Sequence, residues 1–500
     1  MPLDIQQNPL GSDTNFQESG RYREIFVRND GERPSEFPEP SYRRFWVRFK
    51  SNLHCKARWP EVNGSLGDLG TFIPIVISLT LVNGLDLGTT LIFTGVYNII
   101  TSLLFGVPMP VQPMKAIAAV AISEGKRLTI SEIMAAGICT AGTLLGLGVT
   151  GLMGLMYRLI PLPVIRGVQL SQGLSFAFTA VKYIRKNQDF AKNKSGDARP
   201  WLGLDGLLLA LICLCFIVLV NGFGDDSRQR NEESLGASIP SSVAATRKGS
   251  SEVRKPLWNL RILNAIPSAL IVFVLGIVFA ILRKPDVLRH LKLGPSKAQL
   301  IRISRHDWKT GFVRAAIPQI PLSILNSVIV VCKLSTDLFP NKEVTATSVS
   351  VSVGIMNLVG CWFGAMPVFH GAGGLAGQYK FGAKSGASVA FLGTAKLVLG
   401  LILGSQLVKI LSQFPIGMLG VLLLFSGIEL AMACRDMNSK VYSFVMLMCT
   451  AVSLTGSSAA LGFGFGIGLH VILRFRDKGF SDCINVFRAL LRREKFSEET

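Results

Sequence analysis

The stretch Val107-Pro108-Met109-Pro110-Val111-Gln112-Pro113-Met114-Lys115 decides the fold of this 500-residue chain. Each proline lacks an N–H and restricts the residue before it, so no continuous helix runs through the stretch and the backbone is extended. From Met114 to Ile122 the sequence is apolar apart from Lys115. That predicts a helix of about half a bilayer's length, with Pro113 tolerated at its first turn. A helix beginning in mid-membrane is tolerated only where its head is buried in protein or lines a polar cavity. Its bare N–H groups carry partial positive charge suited to an anion.

The device recurs. Phe363-Gly364-Ala365-Met366-Pro367-Val368-Phe369-His370-Gly371-Ala372-Gly373-Gly374 repeats Phe105-Gly106, a short spacer and Met-Pro-Val, with Pro110 matching Pro367 at an offset of 257 residues. Two further pairs keep close to that spacing: Phe72-Ile73-Pro74 with Gln319-Ile320-Pro321, and Pro163 through Gly173 with Pro415 through Gly427. Two halves with broken apolar segments at corresponding places are the mark of a secondary transporter whose site lies where the breaks meet.

Composition agrees. A hydrophobic content of 49% with 50 glycines and a mean hydropathy of +0.42 describe a polytopic membrane protein with closely packed helices. The net charge of +20 sits mostly in loops and tails, an ordinary membrane pattern rather than a nucleic-acid surface. The nine cysteines are scattered without metal or disulfide spacing.

The chain is expected to be all-α and polytopic, with about 14 segments arranged as 7+7 inverted repeats. Residues 1–58 read as a disordered cytoplasmic tail whose end carries Arg43, Arg44, Arg48, Lys50, Lys56 and Arg58. Residues 59–282 form the first repeat, with a polar loop at 222–260. A basic connection spans 283–311, the second repeat 312–474 and a short tail 475–500. Segments are expected near 66–82, 88–106, 113–123, 130–157, 163–182, 203–221 and 262–282, then near 312–332, 345–364, 371–383, 386–404, 415–433, 441–455 and 458–474. An odd count per half inverts the second repeat and puts both tails on one side. The basic loops 182–199 and 283–309 run against that sidedness.

Ionisable groups inside apolar spans are expensive and therefore functional candidates. Asp68 is read as an ion-coupling carboxylate or as an N-cap to the helix that follows. Lys115 neutralises a bound dianion or snorkels, and Gln112 donates to a substrate oxygen or ties the break together. His370, with Gly371 and Gly373 behind it, offers an imidazole and a closely approachable backbone. Gln319 and Ser323 join the site from the segment matching that of Asp68, so that Asp68 and Gln319 face one cavity. Arg166, Glu429 and Lys396 are read as structural or snorkelling, and Lys380 as answering its helix's C-terminal dipole.

The motifs Asn63 to Thr71, Val107 to Lys115 and Phe369 to Lys380 resemble those of plant-type molybdate transporters, a branch of the sulfate permease group. The resemblance implies a core domain sliding against a gate domain, and molybdate as substrate. An anion site also follows from the residues: two helix heads converge beside Lys115 and His370, where carboxylates are scarce. The expected set is Gln112, Pro113, Lys115, Gln319, Ser323, His370, Gly371 and Gly373 for the anion, with Asp68 for coupling and protons as the coupling ion. Sulfate or another oxyanion is the alternative cargo. A nucleobase carrier would want a carboxylate for ring N–H groups, a channel an unoccluded pore, and an enzyme a nucleophile–base or metal constellation. No cofactor, no metal and no nucleic acid are expected. The partners are molybdate, protons and the lipid bilayer, with a homodimer as the assembly considered and the plasma membrane or a vacuolar or other endomembrane as the location. The short stretch after Arg474 leaves no room for the soluble regulatory domain of sulfate permeases, so none is expected.

Overall fold

The structure is a computed structural model that describes residues 51–53, 58–121, 127–189, 194–221, 266–289, 293–296, 299–456 and 459–492. Most of the tail expected at 1–58, namely residues 1–50 and 54–57, and the loop at 222–260 lie outside the described residues. The first half contains α1 (Arg58–Asn83), α2 (Leu87–Phe105), β1 (Val111–Pro113), α3 (Lys115–Ala121), α4 (Ile130–Val149), α5 (Leu162–Arg185), the hairpin β2 (Lys186–Asp189) and β3 (Lys194–Ala198), α6 (Leu207–Asn221) and α7 (Ser268–Arg283). The second contains α8 (Arg305–Leu338), α9 (Ala346–Phe363), β4 (Val368–His370), α10 (Ala372–Lys380), α11 (Ala387–Ile402), α12 (Ile416–Met432), α13 (Lys440–Thr455) and α14 (Ala459–Arg492).

Among the described residues a helix stands at each expected segment, although by length and apolarity six are able to cross a membrane, or seven if α11 is joined to Gly404–Leu411 across a 106° bend. Side chains such as Phe178, Leu219, Leu282 and Ile472 are large, apolar and exposed, as lipid-facing positions require.

Local sequence explains where the helices begin. Thr129 and Glu132 make a reciprocal capping box at the start of α4, and Ser304 and Asp307 make another at the start of α8. Each satisfies two backbone donors that helix geometry leaves orphaned. The prolines after Phe105 keep the chain extended through β1, and Gly106 ends α2 with a φ of 65° that favours glycine.

The repeats interlock by exchange. α2 packs on α11 and α9 on α4, while α5 packs on its counterpart α12. At that last crossing a Cβ on Gly173 would stand 2.6 Å from the Gly427 carbonyl oxygen, and one on Gly427 would stand 2.7 Å from that of Gly173. Only glycine lets the two backbones approach so closely. Of the basic loop 182–199, residues 182–185 end α5, and Lys186–Asp189 pairs with Lys194–Ala198 as β2 with β3. Its Arg199 is buried and donates to the carbonyls of Tyr183, Ile184 and Asp205, so this cation is structural.

A candidate oxyanion site at the paired half-helix heads

The two extended lead-ins meet side by side. β1 and β4 pair antiparallel with Val111 opposite His370, Gln112 opposite Phe369 and Pro113 opposite Val368. The offset of 257 residues carries Gln112 onto Phe369, so the ladder is centred on a pair that the repeat maps onto itself. Beyond the ladder, Met114 N donates to Pro367 O at 2.9 Å and Gly371 N donates to Pro110 O at 3.3 Å. Those two bonds are also exchanged by the same offset. An antiparallel pair related this way sends α3 and α10 off in opposite directions, which is what inverted repeats require. The lead-ins to the two heads are thus stitched together by hydrogen bonds.

Two asparagines hold the strands. Asn98 Oδ1 of α2 accepts from Val111 N at 2.8 Å. Asn357 of α9 accepts from Val368 N at 2.7 Å and donates to Val368 O at 2.6 Å. Sequence reasoning missed both. Their signal is a shared Gly-x-x-Asn, Gly95 to Asn98 and Gly354 to Asn357, at nearly the repeat spacing.

Each first span serves the half-helix of the other repeat. Asp68 closes a 3-10 turn, Leu66–Asp68, inside α1. Gln319 lies between two π-helical stretches of α8, Phe312–Ala316 and Ser323–Ile329; such departures from α geometry concentrate at functional sites. Gln319 Oε1 accepts from the amides of Ala116 at 2.9 Å and Ile117 at 3.3 Å, and its Nε2 donates to Ser323 Oγ at 2.8 Å. It therefore caps the first half-helix. Asp68 instead lies at the second: a Cβ on Gly374 would stand 2.8 Å from Asp68 Oδ1, 2.7 Å from Gln112 Nε2 and 2.5 Å from Pro110 Cγ. Asp68 and Gln319 are thus each committed to a different helix head of the joined pair.

Gln112 Nε2 donates to Asp68 Oδ1. Asp68 makes no side-chain cap to the helix that follows it, which removes the capping reading. Asp68 Oδ2 and Gln112 Oε1 are buried without a hydrogen-bond partner. Lys115 is half-buried, with its ammonium 3.6 Å from the centre of the Phe176 ring. The same ring lies over Gly373, where a Cβ would meet Phe176 Cζ at 2.8 Å. Phe176 of α5 thus spans the gap between the two half-helices, and its place was not legible from the sequence.

His370 is fully buried, with its backbone N–H donating to Ser327 Oγ at 3.1 Å, Nε2 paired with Ser352 Oγ at 3.1 Å and Nδ1 without a partner. The Phe105 ring meets it edge-on. Gly371 lies against the Gln112 side chain, whose Cγ would be 2.8 Å from an added Cβ.

Arg166 is structural: it pairs with Asp337 at 2.7 Å and Asp436 at 2.5 Å and donates to Gln169. Glu429 pairs with Lys380 at 3.7 Å, so that lysine has a carboxylate partner. Lys396 departs from the snorkelling expectation. It is 4% exposed, its ammonium lies 3.6 Å from the centre of the Phe72 ring, and it has no hydrogen-bond partner.

Inverted repeats with two broken spans meeting at a buried polar centre define a membrane carrier of the sulfate-permease-like fold. The fold matches murine Solute Carrier 26 family member A9, an anion transporter in the inward-facing state, with a TM-score of 0.52 at 14% identity over 92% of this chain and 78% of that one. A family model described as the molybdate transporter of the MFS superfamily matches residues 60–176 and 311–430. The chain is 62% identical over 442 residues to Molybdate transporter 2 of Arabidopsis thaliana, covering 88% of this chain and 92% of that protein. It is 60% identical over 433 residues to Molybdate transporter 1 of the same plant, covering 86% and 92%. The chain belongs to the molybdate transporter family and is a multi-pass membrane transporter, its relatives bearing transporter names rather than those of enzymes. Parallel repeats are the arrangement usual for the MFS superfamily named in the family description; the pairing of β1 with β4 is that of inverted repeats.

Proposed function

We propose that this protein carries molybdate across a membrane by alternating access, binding the tetrahedral dianion at the paired heads of α3 and α10. The observation that carries the reading is the pairing of the two half-helix lead-ins at a buried centre where two cations, Lys115 and Lys396, act on Asp68. Buried polar atoms are nearly always satisfied, and Asp68 Oδ2 and Gln112 Oε1, buried there without partners, are acceptors that a proton entering with the anion would serve. The N–H of Gln112 not given to Asp68 and the imidazole of His370 supply donors, and Lys115 supplies charge. Gly371 and Gly373 keep the second head free of side-chain bulk, Pro113 holds the extended strand, and Gln319 with Ser323 orders the first head.

Asp68 makes the carrier proton-coupled. A carboxylate beside a dianion is repulsive unless it is protonated, so a proton enters with molybdate and leaves with it. Phe176 belongs to α5, which packs with α12, and it rests on the α10 head. Sliding of the half-helix bundle past that pair would lift the ring and open the site. Molybdate is preferred to sulfate as the cargo because of the relatives' names.

The test is uptake of labelled molybdate by purified protein in vesicles, with sulfate as competitor and an imposed pH gradient. Saturable uptake that accumulates against the gradient is expected. An Asp68→Asn variant should bind molybdate but lose pH-driven accumulation. Unsaturable flux, or undiminished accumulation in that variant, contradicts the proposal.

A further inference from the structure

We propose that Lys396 is a second cationic ligand of the oxyanion site and that it sets the charge class of the cargo, favouring tetrahedral dianions over tetrahedral monoanions. This inference rests on the proposed anion site. Lys396 lies deep in α11, a span separate from both half-helices, and is all but inaccessible. Its ammonium has no hydrogen-bond acceptor. It is held instead over the face of Phe72, which lies four residues beyond Asp68 and therefore on the same face of α1. A ring face attracts a cation but leaves the three N–H donors unspent. Asp68 lies within electrostatic reach of two cations, Lys396 and Lys115, and one of its carboxylate oxygens is itself unpaired.

Lys115 is arranged the same way, with its ammonium over Phe176. The two lysines thus reach Asp68 from different elements, each parked on an aromatic ring with its donors free. A structural counterion would be expected to close a short salt bridge with its carboxylate. No ion pair of Asp68 with Lys396 or Lys115 closes within 4 Å among the described residues, so both ammonium groups keep donors for an incoming oxygen.

Counting charge explains what this does. With Asp68 ionised, the site carries one net positive charge. Entry of a dianion together with one proton on Asp68 leaves two ammonium charges against two negative charges, which is neutral. With Asp68 held neutral, as Asp68→Asn enforces, entry of a monoanion leaves an uncompensated positive charge in a buried place, which is costly. Lys396 therefore supplies the second unit of charge that a dianion requires. Without it, the neutral complex is the one with a monoanion.

Molybdate and perrhenate are both tetrahedral oxyanions, of similar size, and differ by one unit of charge, so their affinity ratio isolates the effect. The experiment is equilibrium binding of each anion to the full-length protein in lipid nanodiscs, for the unmodified chain and for Lys396→Met, Lys396→Arg, Asp68→Asn and the Asp68→Asn/Lys396→Met pair. The unmodified chain should prefer molybdate. Lys396→Met should shift the molybdate-to-perrhenate ratio about tenfold or more toward perrhenate, since one unit charge is worth at least that much at a few ångströms in protein. Lys396→Arg should keep the molybdate preference. Should Lys396→Met fail to fold with Asp68 unbalanced, the double variant carries the same test: perrhenate favoured over molybdate supports the inference, and molybdate still favoured overturns it. An unchanged ratio in a folded Lys396→Met also overturns it. Failure of the unmodified chain to bind molybdate at all would instead defeat the anion site itself.

Discussion

Replacing Gln319 by Ala removes the acceptor that holds two amides of α3, at 2.9 Å from Ala116 and 3.3 Å from Ile117. It also strips Ser323 of its amide partner. Leaving a buried N–H unsatisfied costs roughly 1–3 kcal/mol. The shorter bond carries most of that and the longer one less, so a loss of about 2–4 kcal/mol in stability is expected. Gln319→Glu separates capping from binding. Its carboxylate still accepts from both amides, and Ser323 can donate to it, so the fold should be kept. A negative charge within several ångströms of a dianion adds a repulsion on the order of a few kcal/mol at an effective dielectric of about 20, before any proton uptake. The assay is a pair of measurements on protein in nanodiscs: thermal unfolding and molybdate titration. Gln319→Ala should unfold at clearly lower temperature, while Gln319→Glu should unfold near the unmodified temperature and bind molybdate at least tenfold more weakly. An alanine variant as stable as the unmodified chain would refute the assignment of Gln319 as the cap of the first half-helix.

Three other outcomes follow from packing. Phe176→Ala removes the ring over Gly373 and Lys115; molybdate exchange should speed up while the bound complex weakens, read by dissociation kinetics. Gly173→Leu drives a side chain into the Gly427 backbone across the α5–α12 crossing, so folded yield should collapse in size-exclusion chromatography, while the same change at exposed Gly464, with nothing within 4 Å of its Cβ, should be tolerated. Arg166→Met removes the cation shared by Asp337 and Asp436; because Asp436 is partly exposed and Asp337 keeps Lys333, the cost should be on the order of 1–3 kcal/mol, seen as a lowered unfolding temperature.

The breaks were legible because proline leaves no choice: Pro108, Pro110 and Pro113 force extended chain in a region too apolar for a loop. The repeat spacing then located the partner break, and β1 pairs with β4 in the register that spacing implies. What the sequence did not reveal were contacts between segments far apart in the chain. Gln319 and Asp68 were readable as polar residues in corresponding spans, but which head each serves depends on how α1 and α8 are exchanged between repeats. Lys396 looked like an ordinary basic residue in α11, and only its burial over Phe72 distinguishes it. Phe176 reads as one more apolar residue of α5 until the absent side chain of Gly373 admits its ring. Asn98 and Asn357 were visible as a repeated Gly-x-x-Asn, yet their use in bracing the strands could be recognised only with the ladder in view.

Tungstate is an electron-dense tetrahedral dianion that stands in for molybdate, and a cryo-electron microscopy structure of the protein with tungstate bound would test the central claim most directly. Density between the heads of α3 and α10, within hydrogen-bonding distance of the Gln112 amide or the His370 imidazole and beside Lys115, is the predicted result. Well-defined tungstate density elsewhere in the membrane region, with the β1–β4 ladder unchanged and no density beside Gln112, would contradict the account.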